Sequence, residues 1–372
     1  MGRYINMKTN KEILNVFSQP HASASCSMNL RFQKQKSQCM KLKILAPLIF
    51  CFIIQSCKEN ITEVNSEVGM WTKVESGVTS WLRDIDFTDY QNGWIVGDSG
   101  VILNTEDGGK TWGRQICPIN EILIAVDFVD TSFGWICSRN SILKTTNGGE
   151  SWEIKYTEDL EDGYFLDIQF LNKNTGFAVG GRGSFASIGV LLKTNDGGET
   201  WQQASLNRLP RLTHISIVDE QNIWICGFGG TILYTTDVGL SWIKGNFNIS
   251  PRPSLTTIQF MDQYNGWAGS RDDWLGFYLT TDGGDKWIRI SEDSFKIVCG
   301  VLSFYFIDKN RGWMCNFPFD RILRTSDGGL TWQYDSEIRQ RINSFHFLGN
   351  ETGWAVGNYG GILKYSENTD LH

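Results

Sequence analysis

One eight-residue pattern recurs six times in this chain and limits its possible folds more than any other feature. We call it the turn box; its most regular form is Thr-x-Asp-Gly-Gly-x-Thr-Trp, and successive copies are 40–49 residues apart. Tandem units of about this length build repeat proteins, and a spacing near 40–45 residues is typical of the four-stranded blades of a propeller. The boxes end at Trp112, Trp152, Trp201, Trp242, Trp287 and Trp332.

Each part of the turn box has a physical reason. An apolar Ile-Leu run precedes most copies and predicts a strand, and the two glycines permit the positive φ angles of a tight turn. The acidic or amide side chain can accept hydrogen bonds from nearby backbone N–H groups, and we expect the Trp to start the next strand and cover the turn. Six equivalent catalytic acids would make no chemical sense, so we interpret these third-position residues as structural. They are Asp107, Asn147, Asp196, Asp237, Asp282 and Asp327.

A second pattern lies between the boxes and occurs seven times. A strand ending in Phe is followed by a polar turn and Gly-Trp-x-Val-Gly, as at Phe87 and Gly93. The seventh copy has no complete box after it, whereas Trp71 belongs to a strand with no box of its own. We therefore predict an all-β fold, a seven-bladed β-propeller of four-stranded antiparallel blades over residues 70–366. The N-terminal strand Met70–Val74 would complete the last blade and close the ring, which removes exposed sheet edges.

Residues 40–57 have the pattern of a lipoprotein signal peptide. Lys41 and Lys43 precede an apolar run over residues 44–54, and the small residue Ser56 precedes Cys57. The end of this segment resembles a bacterial lipobox, so we expect lipidation of Cys57 and anchoring to the cell envelope. A plain cleaved signal or a short membrane anchor are the alternatives. We expect residues 1–39 to be a disordered upstream extension, 58–69 a linker and 367–372 a tail.

Charge and cysteine usage exclude several classes of function. Residues 1–57 carry +7, whereas the rest of the chain has 26 basic and 40 acidic residues and carries −14. A chain with this net negative charge is a poor candidate for nucleic-acid binding. Cys137, Cys226 and Cys315 occupy a strand position that is Val in other repeats, so we expect small buried apolar residues. No Cys or His spacing typical of a metal site is present, and we expect no metal and no cofactor.

The repeats resemble a known group of proteins. The turn box is similar to the Asp-box, or bacterial neuraminidase repeat, and its combination with the Gly-Trp-x-Val-Gly pattern resembles the photosystem II stability/assembly factor family and its relatives outside photosynthesis. The resemblance covers about residues 70–366. It implies a non-catalytic propeller that docks a protein partner during assembly.

Arginines are concentrated at one predicted end of the ring. In a four-stranded blade the connections between strands B and C, and from strand D to the next strand A, lie on one side, which we call the upper face. These segments contain ten of the 14 arginines after Cys57 together with aromatic residues, a composition typical of protein interfaces. Pairing of these arginines with local acids such as Asp98, Asp272, Asp273 and Asp320 is the alternative interpretation. The arginines are Arg83, Arg139, Arg182, Arg208, Arg211, Arg252, Arg271, Arg321, Arg339 and Arg341, and the aromatics include Trp81 and Trp274.

The sequence therefore favours an envelope-anchored, monomeric binding protein without catalytic activity. Its partner would be a protein of unknown identity, with membrane association only through the lipid anchor. The alternative is a glycoside hydrolase of sialidase or glucanase type using the same face, because such enzymes also carry Asp-boxes. Glycoside hydrolysis needs two placed carboxylates, and the acids to inspect would be Asp84, Asp98, Asp272 and Asp320. We interpret His214 and His346, in predicted strands, as structural.

Overall fold

Each sequence repeat folds into one antiparallel sheet of four strands. The computed structural model describes residues 70–158, 163–183, 188–206, 208–271, 276–290, 300–317 and 319–367. These residues form 28 strands in seven four-stranded sheets, which confirms the predicted seven-bladed all-β fold. The predicted signal segment with Cys57, the linker and residues 368–372 of the tail lie outside the described residues.

Strands A and B are the first two of each blade. Strands A are β2 (Leu82–Phe87), β6 (Leu123–Phe128), β10 (Tyr164–Phe170), β14 (Leu212–Asp219), β18 (Leu255–Phe260), β22 (Gly300–Phe306) and β26 (Ile342–Leu348). Strands B are β3 (Gly93–Gly97), β7 (Gly134–Ser138), β11 (Gly176–Arg182), β15 (Asn222–Gly227), β19 (Gly266–Ser270), β23 (Gly312–Phe317) and β27 (Thr352–Gly357). Strands A of successive blades pack against one another around the ring and form its inner wall.

Strands C and D complete each blade toward the outside. Strands C are β4 (Val101–Thr105), β8 (Ser141–Thr145), β12 (Ile188–Thr194), β16 (Thr231–Thr235), β20 (Phe277–Thr280), β24 (Arg321–Thr325) and β28 (Ile362–Ser366). Strands D are β1 (Met70–Val74), β5 (Gly113–Arg114), β9 (Glu153–Thr157), β13 (Gln202–Gln203), β17 (Ile243–Lys244), β21 (Ile288–Arg289) and β25 (Gln333–Arg339). The box Trp does not start strand D as predicted, because the strand begins at the following residue, as at Gly113.

The two ends of the domain meet in one sheet. Strand β1 pairs antiparallel with β28, with Met70 opposite Ser366 and Trp71 opposite Tyr365. The sheet order β1-β28-β27-β26 therefore combines the first strand with the last three. This confirms that the N-terminal strand completes the last blade, and the pairing covers a strand edge that would otherwise be open.

Aromatic stacking joins neighbouring blades. In six of the seven seams, the Trp of strand B stacks on the Phe that ends strand A of the next blade, with ring centroids 3.5–4.2 Å apart. At the remaining seam Phe177 and Ile217 occupy the two positions. Large buried rings dominate the burial of apolar surface, so these pairs set the spacing of the blades. They are Trp94–Phe128, Trp135–Phe170, Trp224–Phe260, Trp267–Phe306, Trp313–Phe347 and Trp354–Phe87.

The cysteines behave as the sequence predicted. Cys137, Cys226 and Cys315 are buried and free of disulfide bonds. Burial raises the pKa of the Cys226 thiol to about 12, so this group is an unreactive thiol at neutral pH. In the part of the chain that the structure describes, no helix has the length and apolar character needed to cross a membrane.

Candidate functional site: the upper face and the central channel

The turn boxes lie at the lower face, opposite the arginines, and the first box shows how the third-position side chain is bonded. Thr105 Oγ1 donates a hydrogen bond to Asp107 Oδ1 at 2.8 Å, and the Gly109 amide donates to Thr105 Oγ1 at 2.9 Å. The hydroxyl and amide of Thr111 both donate to the Asp107 carboxylate. The Thr111 hydroxyl holds the pKa of Asp107 well below its usual range. A carboxylate bound in this way closes a turn and is unavailable for acid–base chemistry.

The other boxes repeat this geometry. The Thr at the first position donates to the third-position oxygen at 2.7–2.8 Å in every copy; the acceptors are Asn147, Asp196, Asp237, Asp282 and Asp327. Of the box tryptophans, Trp152, Trp287 and Trp332 are buried, whereas Trp112, Trp201 and Trp242 are half-buried.

The boxes also bind the preceding blade. The indole Nε1 of Trp94 donates to the Gly148 carbonyl at 2.9 Å, and that of Trp135 donates to the Gly197 carbonyl at 2.9 Å. Trp224, Trp267 and Trp354 make the same kind of bond to a box glycine of the next blade. Each of these bonds satisfies a buried N–H group and fixes one blade to its neighbour.

The described arginines of the predicted set lie at strand ends or in the connections of the upper face. Arg83, Arg182, Arg321 and Arg339 are in strands, within two residues of a strand end, and are therefore not loop residues as predicted. The others lie in connections, and they are Arg139, Arg208, Arg211, Arg252, Arg271 and Arg341. Trp274, Asp272 and Asp273 lie outside the described residues.

Local ion pairs occupy three of these arginines. Arg83 donates to both oxygens of Asp98, at 2.7 and 3.0 Å. Arg341 pairs with Asp320 at 3.0 Å, and Arg321 pairs with the exposed Glu337 at 2.7 Å. The alternative of local pairing with acids therefore holds for these three side chains.

Four other arginines have no such partner. These four arginines are exposed, and none of them forms an ion pair with a carboxylate of the described residues. They are Arg139, Arg208, Arg252 and Arg339. Exposed guanidinium groups of this kind are available to the carboxylates or phosphates of a partner.

Aromatic rings hold several guanidinium groups in place. Arg211 stacks over Phe228 at 3.8 Å, and Arg83 lies 5.1 Å from the ring of Trp81. Arg271 and Arg341 approach Phe317 at 5.0 and 5.4 Å. Stacking on a ring restricts a guanidinium group to one plane and so fixes the direction in which its N–H groups point.

Exposed aromatic residues lie beside Arg83 where the first and last blades meet. Trp81 and Tyr359 form an edge-to-face pair with ring centroids 6.4 Å apart, and 76% of Tyr359 is exposed. Tyr359 has a positive φ of 59°, a conformation that is uncommon for a residue with a large side chain. Exposed aromatic residues next to arginines are characteristic of the centres of protein interfaces.

A central channel opens beside these arginines. Its cavity volume is about 680 Å³, and it is lined by strands A of all seven blades together with Arg83, Arg211 and Arg271. Sequence reasoning did not identify the channel as a site, although it named Asp84 of strand A among the acids to inspect. The alternation of side chains in Ile-Asp-Phe is the signal that could have found it, since the middle residue must face away from the packed blade.

Carboxylates in the channel wall hold neighbouring strands together. Asp84 Oδ2 accepts from the Val126 amide at 2.9 Å and Asp86 Oδ2 accepts from the Phe128 amide at 2.7 Å. In the next two seams Asp127 and Asp167 accept amides of strands β10 and β14 at 2.9 and 2.7 Å.

The pKa values of these groups reflect their burial. Burial raises the pKa of the Asp84 carboxyl to about 6. Burial also raises the pKa of Asp127, and the nearby charge of Asp86 raises it further. Burial also raises the pKa of Asp167. The nearby His214, whose Nδ1 lies 3.8 Å from the Asp167 carboxylate, partly offsets this rise. Each of these carboxylates is therefore easier to protonate than an exposed aspartate.

The other predicted acids do not form a catalytic pair. Asp98 and Asp320 are held in the ion pairs with Arg83 and Arg341, and Asp84 lies in the channel wall. Among the described residues, no three His, Cys, Asp or Glu side chains converge as a metal-binding group.

Seven four-stranded blades, six of which carry a turn box, define a β-propeller of the bacterial neuraminidase repeat class. The chain belongs to the family described as photosynthesis system II assembly factor YCF48, whose model matches residues 63–154, 115–211 and 156–295. The prediction of this family is confirmed.

Several relatives have related names. The photosystem II assembly lipoprotein Ycf48 of Picosynechococcus sp. is 26% identical over 350 residues, which cover 81% of this chain and 88% of that protein. The protein of the same name from Prochlorococcus marinus is 22% identical over 302 residues, 68% of this chain and 84% of that protein. For the Synechococcus sp. protein, at 26% identity, the match spans 55% of this chain and 60% of that protein. These relatives are named as assembly factors and not as enzymes, in agreement with the prediction of a non-catalytic protein.

Solved structures show the same fold. YCF48 from Cyanidioschyzon merolae superposes with a TM-score of 0.66 at 21% identity, covering 80% of this chain and 99% of that one. A structure titled YCF48 bound to D1 peptide gives a TM-score of 0.65 at 21% identity, covering 80% of this chain and 96% of that one.

Proposed function

We propose that this protein is a non-catalytic assembly factor or scaffold that binds a segment of a protein partner on its upper face. The observation that carries the proposal is the presence on the upper face of exposed guanidinium groups without a carboxylate partner among the described residues, together with the exposed Trp81–Tyr359 pair; the arginines are Arg139, Arg208, Arg252 and Arg339. A related propeller is titled as bound to a D1 peptide, which supports a peptide segment as the type of ligand. The names of the relatives support a role in assembly.

The face favours a segment that combines carboxylates with an apolar or aromatic side chain. Arg271 presents its guanidinium group 5.0 Å from the ring of Phe317, which suits a planar anion. The edge-to-face pair of Trp81 and Tyr359 offers apolar surface at low entropic cost, because aromatic side chains have few rotatable bonds. Nucleic acid is a poor ligand, because the chain after residue 57 has a net charge of −14.

Charge reversal tests the proposal. The full chain with the exposed Arg139, Arg252 and Arg339 changed to Glu should lose its protein partner in affinity purification from its own cells. The matched control changes Lys110, Lys173 and Lys309 to Glu, which alters the charge equally on the lower face and should retain the partner. Loss of the partner in the control but not in the arginine variant would reject the assignment of the face.

We also propose that the protein is exported and held at the cell envelope by lipid on Cys57, with a monomeric propeller outside the bilayer. Three relatives are named as lipoproteins, which supports this location. Cys57→Ser should move the protein from the membrane fraction to the soluble fraction and abolish labelling by a palmitate analogue. Retention of both membrane association and label in this variant would contradict the proposal.

A further inference from the structure

The channel wall carries a concentration of negative charge on one side. Asp84 and Asp86 of the first blade lie next to Asp127 of the second and Asp167 of the third, and all four line the cavity. Asp86 and Asp127 interact strongly enough for one charge to raise the pKa of the other. Four carboxylates on strands A of three consecutive blades form a region that favours a cation.

The protein supplies little positive charge to this region. Apart from two histidines, the basic residues among the described residues that line the cavity are Arg83, Arg211 and Arg271. All three lie at the upper-face end of the channel. Arg83 is already bound to both oxygens of Asp98. His346 Nδ1 lies 3.3 Å from Asp86 and His214 Nδ1 lies 3.8 Å from Asp167, so imidazoles face two of the four carboxylates.

Two hydroxyl groups of the channel provide an independent observation. Thr257 and Ser303, in the fifth and sixth blades, are 7% and 9% exposed and line the cavity. Of the hydrogen bonds formed within the described residues, none involves either hydroxyl, whereas the neighbouring Thr256 bonds a backbone carbonyl. Both residues line the cavity and neither hydroxyl has a partner among the described residues, so the channel offers unused acceptors in addition to the carboxylates.

We propose that the central channel binds a primary ammonium group, with the four carboxylates as its charge partners and the two hydroxyls as further acceptors. An ammonium group has three donors and no acceptor, which matches a wall of carboxylate and hydroxyl oxygens. A cavity of about 680 Å³ accepts the alkyl chain of a lysine side chain or a polyamine. A directly ligated metal ion fits less well, because no three metal-ligating side chains converge in the described part of the chain.

The carboxylates remain able to bind a ligand after joining the strands. The amides of Val126 and Phe170 occupy one oxygen each of Asp84 and Asp127. A carboxylate has two oxygens and about four acceptor sites, so an outer oxygen stays available in both cases. Asparagine keeps an acceptor oxygen for the strand amide while removing the charge, which makes Asp→Asn the appropriate substitution.

Calorimetric titration of the full chain at pH 7.5 tests the proposal, with spermidine and N-acetyl-lysine amide as separate probes. At least one amine should bind, and the Asp84→Asn, Asp127→Asn double variant should weaken that binding at least tenfold. Tighter binding of spermidine would indicate a free polyamine, and comparable or tighter binding of the lysine derivative would indicate a lysine side chain. Glu337→Gln, which removes a carboxylate that is 92% exposed, should bind as the unchanged protein does.

Two further measurements keep the test decisive. Melting curves show whether the double variant is folded, and Thr257→Val with Ser303→Ala should weaken binding severalfold without removing any charge. Lowering the pH to 5 should also weaken binding, because protonation neutralises Asp84. Failure of both amines to bind at millimolar concentration, undiminished binding in the folded double variant, or binding of Mg²⁺ alone would overturn the proposal.

Discussion

The indole Nε1 of Trp71 donates a hydrogen bond to the Asp335 carboxylate at 2.9 Å. The same Oδ2 atom accepts from Trp313 Nε1 at 2.8 Å, and Arg324 lies 3.3 Å from Oδ1. At five other seams the corresponding indole donates to a box glycine of the next blade, but the last blade has no box. Asp335 supplies the missing acceptor and thereby joins the sixth blade to the strand that closes the ring.

Replacement of Asp335 tests this closure. Asp335→Ala leaves two buried indole N–H groups and Arg324 without their partner, which should lower the free energy of unfolding by about 3 kcal/mol. Differential scanning calorimetry measures the change. Glu337→Ala, in the same strand but with a side chain that is 92% exposed, should have little effect. Equal melting temperatures for the two variants would show that Asp335 does not hold the closure.

The turn boxes should contribute to stability and not to recognition. Asp196→Ala removes bonds to the Thr194 hydroxyl and to the amide and hydroxyl of Thr200. We expect a loss of about 1–2 kcal/mol in stability with unchanged affinity for the partner. Chemical denaturation and the affinity purification described above provide the two measurements. An unchanged stability together with a lost partner would place recognition at the boxes.

The channel carboxylates predict a specific dependence of stability on pH. The pKa of Asp84 in the folded protein is about 6, above the ordinary value of 3.8. Because the folded state holds this proton more strongly, the contribution of Asp84 to stability improves as the pH falls through 6 and reaches its full value below about 3.8. Asp84→Asn should therefore be more stable than the unchanged protein by about 3 kcal/mol at pH 7.5, with the difference shrinking toward pH 4. Denaturation at a series of pH values checks this, and a difference that grows toward low pH would contradict it.

Close packing at the start of strand B requires glycine. A Cβ atom on Gly134 would lie 2.4 Å from the ring of Phe128, which is itself stacked on Trp94 and packed edge-to-face against the box Trp152. Gly134→Ala should cost about 2 kcal/mol or more, since the ring cannot move without disturbing the seam. Gly113→Ala is the matched control, because its nearest atom, the Asn104 carbonyl oxygen, would be 3.9 Å away. Thermal melting of both variants gives the answer, and similar values would argue against a packing role for Gly134.

The sequence repeat was sufficient to predict the ring and its closure. Each blade is specified by local features, namely the turn box and the Gly-Trp pattern, and the unmatched Trp71 indicated how the ends combine. These signals are reliable because the same turn chemistry recurs in equivalent positions.

The closure contact and the channel could not be predicted in the same way. Asp335 accepts a hydrogen bond from Trp71, which is 264 residues away in the sequence. This carboxylate takes the place of a box glycine carbonyl at one seam only, so no repeat pattern marks it. The role of Asp84 and Asp86 depends on which neighbour strand A meets across the ring, which is tertiary information. The arginines were found as a group, but their division into paired and unpaired members depends on geometry such as that of Arg83 and Asp98.

Cross-linking from matched positions on the two faces tests the central claim most directly. The full chain would carry a photoreactive phenylalanine at Tyr359, 76% exposed on the upper face, or at Tyr90, 58% exposed in a turn of the lower face. Irradiation in the protein's own cells followed by mass spectrometry of the adducts should identify one partner protein, joined to position 359 and not to position 90. An adduct with that partner from position 90 alone would contradict the account.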